Sequence, residues 1–189
     1  EPANDKKYVI CIAKNNEGYS EICRIITQRK LNDDFSLIKI LKTEWKNLII
    51  ITPHIELLEI INQKNSFYAE IIRTKSNKKN ALKLYEYSKQ NNIPIVASNP
   101  VYFLEKKDFE LHKLVTAIRL NKTIASISNE ELVEEEFYIK SSTEIEQQFK
   151  KIPQAITNTH KSAEEWKVDL KLGEYKYPSY QAKGKENST

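Results

Sequence analysis

The amino-acid sequence predicts an α/β fold in which short buried strands alternate with amphipathic helices. Three observations support it. Four runs rich in Val and Ile, each too short for a helix, lie between segments with apolar residues at helical spacing. The runs are almost continuously apolar, the pattern of parallel strands covered on both faces. The composition, 40% hydrophobic and 30% charged over 189 residues, allows one domain with a core of its own, or one domain with a short appendage.

The first strand is predicted over residues 7–14 (KYVICIAK), with Gly18 as the break after it. Tyr19, Ile22, Ile25 and Ile26 then define a helix over 18–30. Residues 48–52 (LIIIT) form the second strand. Thr52 is placed to cap a helix over 53–62, with Pro53 at its first position. The third strand is FYAEII, 67–72, and Asn77 is placed to cap a helix over 78–91. The fourth strand is IPIVAS, 93–98. Leu111, Leu114, Val115 and Ile118 make the apolar face of a helix over 108–120. The order favours parallel strands, whose carboxyl ends are where such folds keep their chemistry.

The pattern changes after residue 122. Residues 123–128 read as a connection and 129–136 (NEELVEEE) as an acidic, solvated face. Ser141 and Glu144 fit a capping box opening a helix over 142–150. Pro153 opens another, running to about 167, and the chain from Lys183 reads as disordered.

Composition excludes several function classes. No apolar run approaches the ~20 residues of a membrane-spanning helix, and no secretory signal opens the chain. Three glycines, Gly18, Gly173 and Gly184, cannot build a phosphate-cradling glycine-rich loop. Cys11 and Cys23 have neither metal nor disulfide spacing. They read as core residues of a cytoplasmic protein. A net charge of +4 permits attraction to phosphates without predicting it. No methionine occurs, so the expectation is an excised or processed chain with functional residues upstream of Glu1.

The candidate residues are few. His54, just past the second strand, reads as a metal ligand or general base, or as a surface histidine kept neutral by a helix dipole. Without a partner histidine at metal spacing, the second option is the commoner one. His112 reads as a hydrogen-bonded histidine at the rim of the core, and His160 carries no functional weight. Arg73, Lys75, Lys78, Lys79 and Lys83 are the densest basic cluster. They read as phosphate contacts or, more commonly, as a solvated helix face.

Residues 93–123, IPIVASNPVYFLEKKDFELHKLVTAIRLNKT, resemble the end of the PHP (polymerase and histidinol phosphatase) domain of the bacterial DNA polymerase III alpha subunit. In that family a strand of the type VATNDVHYL precedes an element of the type DAEAHD. Three flanking segments agree in order: IAKNNEGY at 12–19, FYIKS at 137–141, and IPQAI with Asn158 and Thr159 near the end. The likeness spans about residues 6–180 and is greatest to the divergent branch of Bacteroidetes-type bacteria.

The resemblance implies part of a PHP-type (β/α)7 barrel over 1–122, a connection and helices toward the polymerase core over 123–180, and a disordered tail over 181–189. It implies a chain that belongs to the catalytic subunit of a replicative DNA-directed DNA polymerase. Its partners would be the rest of that subunit, with a proofreading exonuclease and DNA as further possibilities. Active members hold Zn²⁺, Mn²⁺ or Mg²⁺ at the strand ends and hydrolyse phosphoesters, including DNA 3′ ends. Here the family's ligand Asp aligns with Pro100 and its ligand His with Tyr102. Proline has no donor and a phenol is a poor ligand at neutral pH. His54 aligns with a ligand cysteine, and Glu1 with a ligand glutamate. The implied role is a degenerate, non-catalytic structural and docking module without a cofactor. The alternative is a metal-dependent phosphoesterase or 3′-5′ exonuclease.

Overall fold

Four strands pair in sequence order in the computed structural model, which describes residues 7–174. They are β1 (Ile10–Ala13), β2 (Leu48–Thr52), β3 (Ser66–Ile72) and β4 (Ile95–Ser98). β2, β3 and β4 are parallel, as the alternation with helices predicts. β1 departs from the expectation. It runs antiparallel to β2, pairing Ile10 with Ile51 and Ala13 with Leu48. A single crossover helix returns a chain to the end of the sheet where the next parallel strand begins. Here two helices intervene, α1 (Asn16–Leu31) and the unpredicted α2 (Leu37–Lys42). The second lets the chain re-enter the sheet from the opposite end.

Strand alternation divides the side chains between two faces. Cys11, Leu48, Ile50, Ala69, Ile71 and Ile95 point into the main core. There they meet Ile22 and Ile25 of α1, Ile40 and Leu41 of α2, and Leu57 and Leu58 of α3 (Ile55–Leu58). Ala81 and Leu84 come from α4 (Lys78–Gln90). The other face carries a smaller cluster, Ile49, Ile51 and Val96, with Ile12 and Tyr68 against it. Cys23 is exposed rather than a core residue, because Ile22 and Ile25 turn inward on either side of it.

Several expected helix ends are corrected. Gly18 does not break the chain but lies within the first turn of α1, where Asn15 accepts its N–H at 2.9 Å. Glycine is required there: a Cβ would stand 2.2 Å from the carbonyl oxygen of Asn47. Thr52 is not the N-cap residue: its hydroxyl accepts the His54 N–H at 3.3 Å and donates to the Tyr8 carbonyl at 2.7 Å, while His54 occupies the capping position of a helix of only four residues. Asn77 sits at the start of α4 but its side chain donates to the Ile72 carbonyl instead of capping.

The helix α5 (Phe109–Leu120) carries a larger correction. Its apolar residues Leu111, Leu114, Val115 and Ile118 are exposed, while Thr116 and Ala117 are buried. Downstream, Ser141 and Glu144 form the expected capping box on α6 (Ser142–Gln148). Pro153 opens α7 (Pro153–Glu164) as expected. Phe149 and Ala155 enter the main core. α7 also closes the edge of β4: Asn158 donates to the Ile95 carbonyl at 2.8 Å, and the Ala97 N–H donates to Thr159 Oγ1 at 3.0 Å. Among the described residues no helix is long and apolar enough to cross a membrane.

Candidate functional site

The carboxyl ends of β2, β3 and β4 bring Thr52 to His54, Arg73 and Thr74, and Asn99 to Phe103 to one rim of the sheet. Because β1 runs the other way, the residues entering it reach this rim as well. Tyr8 lies there, and sequence patterning had no means of placing it. Its hydroxyl donates to Glu70 Oε2 at 2.9 Å. Its ring meets His54 edge-on, with centroids 5.3 Å apart.

Glu70 is the chemically unusual member of this group. It is 2% exposed in mid-β3, on the face of Ile49, Ile51 and Val96. A carboxylate at that depth needs a donor, and Tyr8 supplies one. Burial, then the Glu70 carboxylate, pushes the Tyr8 phenol well above its usual range. Nε2 of His54 is buried and has no hydrogen-bond partner among the described residues. Pro53, His54, Glu70, Asn77, Asn80 and Lys83 line an open cleft of about 370 Å³.

The two positions that the resemblance aligns with metal ligands lie on the same rim, and Tyr102 is near enough to Tyr8 to add to the rise of its pKa. Pro100 brings no donor atom. Tyr102 is 63% exposed and stacks on Phe137, with centroids 5.9 Å apart. Its N–H donates to the Phe137 carbonyl at 2.8 Å, and Phe103 forms a parallel bridge with Tyr138. His112 is packed beside Phe103 and Phe109 and accepts the Val133 N–H at 3.4 Å, at the rim as expected. Burial, then the Arg119 charge, pushes its pKa below the ordinary value. Lys140 also escaped sequence reasoning. Its ammonium donates to Asn99 Oδ1 at 2.7 Å and to the Glu136 carbonyl, 4.6 Å from the Tyr138 ring centroid. Burial lowers its pKa. The only sequence sign of this assembly is the aromatic pairing of VYF with FYIK.

The basic residues differ in exposure. The Arg73 guanidinium lies 6.0 Å from the Phe149 ring centroid, half-buried, and its carbonyl accepts from the Gln148 side chain. Lys75, Lys78 and Lys79 stay exposed where α4 begins. The acidic run is not a purely solvated face. Glu131 pairs with Lys122 at 2.5 Å, Glu135 with Lys106 at 3.4 Å, and Glu136 accepts the Lys75 N–H at 2.6 Å. Glu1 and the tail 181–189 lie outside the described residues. Among the described residues no three His, Cys, Asp or Glu side chains converge as a metal-holding group.

No protein-family model matches the chain. It is 24% identical over 204 residues to the DNA polymerase III subunit alpha of Vibrio cholerae, covering 92% of this chain and 17% of that one. The namesake from Haemophilus influenzae is 29% identical over 197 residues, covering 89% and 17%. That of Buchnera aphidicola subsp. Schizaphis graminum is 33% identical over 116 residues, covering 60% and 10%. Over most of its length the chain is thus similar to one stretch of bacterial DNA polymerase III alpha subunits, and it spans 10–17% of the length of these curated relatives.

Proposed function

We propose that this chain is part of the catalytic alpha subunit of a bacterial replicative DNA polymerase, a segment of its PHP barrel that has become a structural and docking module. The polymerase context rests on the similarity along 92% of the chain. In that context it works in the cytoplasm, beside the rest of the subunit, with a proofreading exonuclease as a docking partner. Lys75, Lys78 and Lys79 are the residues free to meet DNA phosphate there.

One observation carries the non-catalytic half. Among the described residues, the rim where PHP chemistry would sit offers Pro100, an outward Tyr102, one imidazole, the exposed Glu56, and a carboxylate already committed to Tyr8. This donor set does not fit a cluster of divalent metals, which needs several convergent carboxylates and imidazoles. A second interpretation, a metal-dependent phosphoesterase or 3′-5′ exonuclease, draws on the unpartnered Nε2 of His54 close to buried Glu70.

Metal analysis separates the two. Elemental analysis of the purified polymerase-length protein is expected to show no stoichiometric metal at this domain. Assays with Mn²⁺, Zn²⁺ or Co²⁺ should release neither phosphate nor nucleotides from DNA 3′ ends through it. Stoichiometric metal that disappears in His54→Ala would reverse the assignment. A coding sequence that stops near Thr189 would remove the polymerase context altogether.

A further inference from the structure

The four apolar residues predicted to anchor α5 to the core face away from it. Leu111, Leu114, Val115 and Ile118 are 44–72% exposed. At 3.6 residues per turn they form a stripe roughly 100° wide. The buried Thr116 and Ala117, with the half-buried Phe109, fall on the opposite side of the same helix. On that side Phe109 packs against Phe103, which His112 also meets, beside the 3-10 turn Lys106–Asp108. No residue of α5 belongs to either described core cluster. The stripe is an uncovered face, and Leu104 and Ile124, in the segments flanking the helix, are exposed too.

A contiguous apolar stripe of this kind marks a surface to be covered. The stripe itself contains no Lys or Arg, so it offers phosphates nothing and fits an apolar protein surface. Size then decides between occupants. Four side chains expose on the order of a few hundred Å². Two copies meeting stripe to stripe would fall short of the ~1,200 Å² of a stable free-standing interface. A surface on the same polypeptide escapes that limit, because covalent continuity supplies an effective concentration in the millimolar range. The relatives provide such a polypeptide: this chain spans 17% of the Vibrio cholerae protein, leaving most of it to supply the cover.

We propose that the outward stripe of α5, centred on Val115 and Ile118, is a docking face for an apolar surface of the same polymerase-length polypeptide. It rests on the polymerase context proposed above. Val115→Cys in a Cys23→Ser background tests it, with maleimide modification at residue 115 followed by peptide mass. The expected result is fast labelling in the 189-residue chain and labelling slowed at least ~10-fold in the polymerase-length protein, because modification must wait for local opening. Equal, fast labelling in both overturns the proposal. Labelling of the 189-residue chain that slows with its own concentration also overturns it, in favour of a second copy. Ile118→Cys, at the most exposed position of the stripe, repeats the measurement if Val115→Cys does not fold. A reading frame too short to make the long protein would fail the polymerase context itself, a result distinct from any labelling rate.

Discussion

Tyr8 and Glu70 lie 62 residues apart in sequence and depend on one hydrogen bond. A charged group at 2% exposure makes the donor necessary. Tyr8→Phe leaves the carboxylate buried and unanswered, and should cost about 1–3 kcal/mol in urea unfolding. The same pair sets an alkaline limit. Tyr8 holds its proton to higher pH when folded than when unfolded, where it titrates near 10. The stability from this proton is complete below about pH 10 and falls as pH rises beyond it. In Tyr8→Phe that part of the alkaline decline should vanish from a series of melts. Little of this was legible in FYAEII, which marks Glu70 only as a charged residue inside an apolar strand. Pro100 and Tyr102 stood out in the sequence only once a family register assigned them a position.

At the scale of elements, helical spacing revealed where α5 begins and ends, but pointed to the wrong face as the inward one. The answer depends on small residues, Thr116 and Ala117, and on Phe109 packing against Phe103. None of these stands out by hydropathy period. The direction of β1 was hidden for a similar reason, since it follows from α2, six residues long and too short to show a period. Gly18 shows how a propensity rule misleads. Glycine lowers helix stability, and replacing it with alanine inside a helix usually gains about 1 kcal/mol. Here the added Cβ meets a backbone oxygen at 2.2 Å. Gly18→Ala should therefore lose about 1–3 kcal/mol, the cost of forced overpacking, read as a lowered urea midpoint without a changed slope.

For the molecule as a whole, one core collects residues from both ends of the described chain. Ile22 and Phe149 belong to the same cluster, and Phe149 is 0% exposed. Phe149→Ala should cost about 3–5 kcal/mol, as large-to-small changes in cores do, measured as a single cooperative shift in thermal unfolding. The α/β class was legible because four strands keep near-continuous apolar runs. The closure was not, because it is made by Asn158 and Thr159, polar side chains that carry no strand or core signal. That closure has a consequence in time. Ala97 and the threonine that accepts its N–H are 62 residues apart, so the sheet edge is synthesised well before its cover. At ~5–20 residues per second, roughly 3–12 s of translation separate them. During that interval the nascent chain carries an open strand edge able to pair with a neighbour, so its greatest exposure to misassembly comes on the ribosome, before the molecule is complete.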